Sequence, residues 1–295
     1  MYLIVGANGF LGSYFIKEIL AGTKEEILAT ARQTGQVPDW GERVSWQMLD
    51  VTDREAVQRL AIKLEGKIES VKVFYLAAYH HPDMVEKNPE IAWDINITAL
   101  SHFINAMGKV KAFFYPSTDS VYGEGGLQQR LSEYAPLHPA NRYGRQKAVA
   151  EALVTGFGHH VVRYPFLIAP SLLRHKKHFY DVIAETITAG NSMEMFKDSY
   201  RSSLDFGTAA RLVVALIEKG EGVPPIVNVS GDEALSKYDI GLMIADKLGV
   251  DRKYIKPVSV HESQDIFTAP RAAATLLDNM LLKKTLGIKE VRIEI

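Results

Sequence analysis

Short apolar runs alternate along the chain with segments whose apolar residues recur every three to four positions. Leu3–Val5, Ile27–Thr30, Val44–Met48, Val71–Leu76, Ala112–Tyr115 and Val161–Arg163 read as buried strands. Between them, 10–21, 53–65, 89–108 and 140–157 read as helices. The βαβαβ order predicts a parallel sheet with helices on both faces, an α/β protein. Crossovers between parallel strands are almost always right-handed, so a doubly wound sheet is expected. Beyond residue 165 the pattern loosens. A mixed stretch, Phe166–Ser203, precedes the amphipathic segment Leu204–Lys219, and Ile226–Val229 reads as one more strand. Helices are expected at 236–248 and near 275–286. The chain therefore divides into a larger domain, 1–165 with 204–230, and a smaller mixed α/β lobe, 166–203 with 231–295.

Composition narrows the classes. The 295 residues are 47% hydrophobic and 23% charged, as in ordinary globular proteins. Lys and Arg number 34 against 35 Asp and Glu, so the excess positive field of a nucleic-acid binder is missing. No apolar run approaches the ~18 residues that cross a bilayer, and no membrane partner is expected. Met1-Tyr2-Leu3-Ile4-Val5 lacks the regions of a secretory signal. Cysteine is absent, which excludes disulfides, iron–sulfur clusters and thiol catalysis and fits a cytoplasmic location. His175 and His178 lie three apart without a further ligand nearby, so no metal is expected. They belong to a basic cluster, Arg174–His178, that reads either as a solvated loop or as a field steering an anionic substrate.

The first strand runs into Gly6-Ala7-Asn8-Gly9-Phe10-Leu11-Gly12 and then a helix. Gly6 permits a tight turn, Gly9 lets backbone approach a pyrophosphate, and Gly12 lets helix and strand pack closely. The second strand ends in Ala29-Thr30-Ala31-Arg32-Gln33, with no carboxylate for a ribose. Arg32 would pair with a 2′-phosphate, so NADP is favoured and NAD stays open. Asp50, with Val51 beside it, either reaches the adenine or caps the following helix.

Tyr143 and Lys147 stand four apart on an expected helix, so phenol and ammonium share a face. A nearby positive charge would lower the tyrosine pKa and make Tyr143 a usable acid or base. Upstream, Pro116-Ser117-Thr118-Asp119-Ser120-Val121-Tyr122-Gly123 follows a strand, where open α/β sheets gather ligands.

These features together resemble the extended short-chain dehydrogenases/reductases, whose sheet is a Rossmann fold. Within them the chain is most similar to dTDP-4-dehydrorhamnose reductases, through Ala77-Ala78-Tyr79 with Asp83, Glu86, Pro89-Glu90, Ala92 and Asn96, through Ser117-Thr118-Asp119 with Val121, and through Pro270-Arg271, Leu277-Asp278 and Leu286-Gly287. The resemblance implies that Thr118, Tyr143 and Lys147 are catalytic and that Asn96 supports them, with Ser117 competing for the role of Thr118. It implies that Leu76, Ala77 and Ala78 line the dinucleotide site. His80, Thr118, Asp119 and Ser120 would meet a nucleotide sugar, and Arg201 and Arg271 would hold its diphosphate. Sugar 4,6-dehydratases carry a glutamate after the aspartate; Ser120 stands there, which argues against elimination. Val121-Tyr122-Gly123 resembles epimerases, so an NAD-retaining 4-epimerase is an alternative to a reductase. A silent dinucleotide-binding regulatory subunit is another. Pro165 and Phe166 stand where many epimerases place an asparagine against the diphosphate. The helices at 89–108 and 140–157 carry apolar stripes, for example Ile91, Ile95, Phe103, Ile104 and Met107, that read either as core packing or, as in many members of the resembled family, as a homodimer interface.

Overall fold

The apolar runs become one parallel sheet. The computed structural model describes residues 1–35, 37–262 and 267–295. In chain order the elements are β1 (Tyr2–Val5), α1 (Phe10–Gly22), β2 (Ile27–Ala31), β3 (Val44–Met48), α2 (Arg54–Leu64), β4 (Lys72–Tyr75), α3 (Pro82–Lys87), α4 (Pro89–Trp93), α5 (Ala99–Met107), β5 (Ala112–Thr118), β6 (Arg130–Leu131), α6 (Arg142–Gly156) and β7 (His160–Tyr164). There follow α7 (Phe179–Thr188), β8 (Met193–Phe196), β9 (Tyr200–Arg201), α8 (Phe206–Lys219), β10 (Ile226–Asn228), β11 (Leu235–Ser236), α9 (Lys237–Leu248), β12 (Ile255–Val258), β13 (Ala274–Leu277) and α10 (Met280–Leu286).

Among the described residues the large sheet runs β3-β2-β1-β4-β5-β7-β10, with every pairing parallel. This is the expected doubly wound, Rossmann-type α/β fold. Strands β1, β2 and β4 are buried at every position because helices cover both faces. Phe15, Ile16 and Ile19 of α1 pack with Val213 and Leu216 of α8 on one face. Leu60 of α2, Phe103 of α5 and Val154 of α6 fill the other. The order turns between β1 and β4, which opens a ligand crevice at the strand C-termini.

A smaller mixed set completes the molecule: β11-β9-β13-β6, and β12 paired with β8. Helices α7 and α9 carry its core through Ile183, Ile187, Ile240 and Ile244. The final residues return to the large sheet, where Leu282 and Val291 join the core beside α8.

Two sequence expectations change, and one open alternative narrows. Residues 275–277 are not helical, because the wholly buried run Ala274–Leu277 pairs with β6 and β9, and the helix begins only at Met280. A run this short does not distinguish strand from helix by its period. The helix at 89–108 is interrupted by a π turn, Asp94–Thr98, in which Asn96 is buried. Its apolar stripe is mostly core, since Phe103, Ile104 and Met107 face the sheet while Ile91 is exposed.

Candidate active site

The glycine turn has the shape a dinucleotide needs. Gly6 has φ +82°, and a Cβ there would lie 2.9 Å from the Ala77 nitrogen. A Cβ on Gly12 would lie 2.4 Å from the Ala7 carbonyl oxygen, so α1 packs against the turn only as glycine. Gly9 is different, because an added Cβ would meet nothing nearer than the Gly6 carbonyl oxygen at 3.7 Å. Gly9 caps α1 without a side-chain bond, and the first turn has no acidic residue. The free N–H groups and positive helix end therefore face an open surface, which fits a pyrophosphate. Asn8, Phe10 and Leu11 are half-buried around this turn, as are Leu76, Ala77 and Ala78 beyond β4.

Arg32 is exposed after β2 and has no ion pair among the described residues. Its charge acts on Asp50 and on Lys176. Asp50 does not cap α2; Asp53 does, accepting the Ala56 N–H at 3.0 Å. Asp50 instead accepts from Thr52 N at 2.9 Å and Oγ1 at 2.7 Å, bonds that hold its pKa down. Val51 is buried. The basic cluster is only partly a solvated loop. Lys176 crosses from the lobe and donates to the Asn8 carbonyl at 2.7 Å, while His178 packs edge-on against Phe10 and Phe206.

Thr118 ends β5, with its Oγ1 3.1 Å from Asp119 Oδ1 and accepting the Ser120 N–H at 3.2 Å. Helix α6 brings Tyr143 and Lys147 beside it. Asn141 caps α6 by accepting from Gly144 N at 2.9 Å and donates to the Pro270 carbonyl at 2.8 Å. A Cβ on Gly144 would lie 2.5 Å from the Ser120 carbonyl oxygen, so this glycine sets how closely α6 approaches the Thr118 loop. Ser117 is not available, since it donates to Glu151 inside the core. Asn96 does not reach the cavity. It is 1% exposed, accepts from Tyr79 N at 2.8 Å and donates to Tyr79 O at 3.1 Å and Gln146 Oε1 at 2.8 Å. It ties the β4 loop to α6, so its place is that of a positioning residue.

The electrostatics of the pair differ from the sequence expectation. Lys147 Nζ donates to Tyr115 Oη at 3.0 Å and the Pro116 carbonyl at 2.7 Å, and lies 5.9 Å from the Tyr143 ring centre. Burial, followed by the Asp119 charge, pushes the Tyr143 phenol up rather than down. Burial lowers Lys147 to about 7, against a smaller opposing pull from Glu151. The unfolded chain, with an ordinary lysine value of ~10.4, binds more protons across that window, so stability rises with pH from about 7 upward. Urea midpoints measured at pH 7 and pH 9 should show a larger gain for the wild type than for Lys147→Met. Equal gains would remove Lys147 as the titrating group.

A cavity of about 260 Å³ opens beside the loop, lined by Thr118, Asp119, Ser120, Phe166, Arg201, Lys237 and Arg271 among others. His80 is exposed and outside that lining. Both arginines are engaged within the protein. Arg201 Nε lies 3.1 Å from Asp119 Oδ2, and its other nitrogens donate to the carbonyls of Tyr200, Ala272 and Ala273. Arg271 pairs with Asp83 at 2.9 Å and stacks 4.1 Å from the Phe267 ring centre. Burial raises the Asp119 pKa despite Arg201. Sequence reasoning missed Lys237, which lines the cavity, and named Lys176 only within the basic cluster, not as a contact to Asn8. Among the described residues no group of acidic or histidine side chains could hold a metal.

Residues 1–293 match a family described as RmlD substrate binding domain. The chain belongs to that family. Among curated relatives, this RmlD-family chain is 24% identical to methionine adenosyltransferase 2 subunit beta of Bos taurus, covering 97% of this chain and 82% of that one. It is 26% identical to a probable low-salt glycan biosynthesis reductase, Agl14, of Haloferax volcanii, covering 95% and 91%. Its fold matches a dTDP-4-dehydrorhamnose reductase from Bacillus anthracis, solved with NADP, at TM-score 0.77 and 20% identity, over 99% and 94% of the two chains.

Proposed function

We propose that the chain is an NADP-dependent reductase of a keto group on a nucleotide-activated sugar. The observation that carries this reading is the half-buried Tyr143 phenol, one turn from buried Lys147, with no hydrogen-bond partner among the described residues. The charge of Asp119, which lines the cavity, acts on that phenol. NADPH, when bound, supplies the hydride to the carbonyl carbon. Tyr143 then gives its proton to the carbonyl oxygen, and the raised pKa keeps that proton in place at neutral pH. Thr118 offers a hydroxyl to the same oxygen, and Lys147 fixes the ribose side of the site. The glycine turn, Leu76, Ala77 and Ala78 hold the dinucleotide, and Arg32 selects the 2′-phosphate. The reductase names of the Agl14 relative and of the Bacillus anthracis structure support this reading. Purified protein should consume NADPH with at least one member of a panel of 4-keto sugar nucleotides. No consumption with any of them would defeat the proposal.

Arg32→Ala should weaken NADP binding by roughly 10- to 100-fold, the worth of one charge-assisted bond to phosphate, and leave NAD within about twofold. Calorimetry with both cofactors checks this. Equal affinities before and after the change would favour the NAD-retaining epimerase.

One observation favours a second reading, a subunit that binds a dinucleotide without turnover. Several relatives are named methionine adenosyltransferase 2 subunit beta, and the two arginines expected to hold a diphosphate are paired internally. It predicts NADP binding with no turnover on any carbonyl or alcohol.

A further inference from the structure

With Arg201 and Arg271 paired, the cavity keeps in Lys237 a cation that has no counter-charge among the described residues. Lys237 opens α9 and lines the cavity. Its Nζ lies 5.6 Å from the ring centre of Phe166, 5.4 Å from that of Phe179 and 5.9 Å from that of Phe196. Among the described residues it has neither a hydrogen bond nor an ion pair. Phenyl faces attract an ammonium, but they offer no acceptor for its three N–H donors. The nearest acidic side chain in sequence, Asp239, is taken up by the Ser236 N–H and hydroxyl that cap the helix. Burial, then Arg271 and Arg201, lower Lys237 to about 8, so it stays largely charged at pH 7. A second observation points the same way. Ser203 is 2% exposed, lines the same cavity, and its Oγ has no hydrogen-bond partner among the described residues. A desolvated ammonium and an orphaned hydroxyl on one cavity are costly unless a ligand satisfies both.

We infer that Lys237, with Ser203, is the anchor for the phosphoryl oxygens of the substrate, in place of the engaged arginines Arg201 and Arg271. The inference rests on the nucleotide-sugar reading above and assigns its specificity to one side chain. Phe166 belongs to the arrangement, since its ring flanks the ammonium from the position after Pro165. Arg201 and Arg271 act at longer range by shaping the cavity and repelling Lys237, a repulsion that an arriving anion relieves.

The test titrates dTDP, inorganic pyrophosphate and thymidine into the full-length protein by calorimetry. NADP is held at saturation so that the glycine turn is filled. Lys237→Met should weaken dTDP and pyrophosphate by roughly 10- to 100-fold and leave thymidine unchanged. Lys237→Arg should stay within about threefold of the wild type. Unchanged NADP affinity and thermal midpoint show that the variants fold. If Lys237→Met binds dTDP and pyrophosphate as the wild type does, the inference is overturned. If the wild type binds pyrophosphate as well as dTDP and only Lys237→Met loses both, the anchor stands and the nucleotide reading falls. A wild type that binds none of the three overturns both.

Discussion

Tyr143→Phe is expected to lower turnover of a 4-keto sugar nucleotide by ~100- to 10,000-fold while NADPH affinity stays within about twofold. The change removes one oxygen and keeps the ring beside Lys147. Among the described residues no hydrogen bond depends on that oxygen. The loss is therefore the loss of the proton donor. Burial and Asp119 favour the neutral phenol, which suits donation to a reduced carbonyl and opposes the reverse, base-catalysed direction. The bias predicts that reduction outruns alcohol oxidation at pH 7. Initial rates of NADPH loss for both proteins decide the matter, and equal rates would take Tyr143 out of the chemistry.

The second large effect is on stability. Glu151→Ala should cost about 3–5 kcal/mol of unfolding free energy, because it leaves a buried guanidinium without its counter-charge. Arg163 is 2% exposed, and its Nε and Nη2 meet the Glu151 carboxylate at 2.5–3.1 Å. Its Nη1 donates to Tyr122 Oη at 2.6 Å and to the Glu133 carbonyl at 3.1 Å. Ser117 also donates to Glu151, so the strand that ends in Thr118 is pinned to α6 through this carboxylate. Urea denaturation measures the loss. The double change Glu151→Leu with Arg163→Met should recover a large part of it, since a well-packed apolar pair removes the unpaired charge. No recovery would mean that packing, not charge pairing, sets the cost.

Much of this site is readable along the chain because its signals are local. Gly6, Gly9 and Gly12 stand at fixed spacing after a strand, and Tyr143 and Lys147 stand one helical turn apart. The periodic runs give the parallel sheet for the same reason. What stays hidden depends on partners distant in sequence. Arg271 looks free until Asp83 pairs with it across 188 positions, and Arg201 until Asp119 does. Lys147 looks like the partner of Tyr143, yet Tyr115 on β5 takes its bond. Lys237 sits in a stretch with no pattern that points inward, and the basic cluster around Lys176 gives no sign of its contact with Asn8. Arg163 carried a usable sign, a charged residue at the end of the apolar run Val161-Val162, which calls for a buried counter-charge. Residues 275–277 were misread because the stretch Ala274-Thr275-Leu276-Leu277 is too short to carry a period.

The most direct test follows an isotope. NADPH carrying deuterium at C4 of the nicotinamide is incubated with the protein and dTDP-4-dehydrorhamnose, and the sugar nucleotide is weighed by mass spectrometry. The account predicts one deuterium on the sugar carbon that was the carbonyl, with one NADP formed for each label transferred. Recovery of an unlabelled keto sugar beside intact NADPH would contradict it.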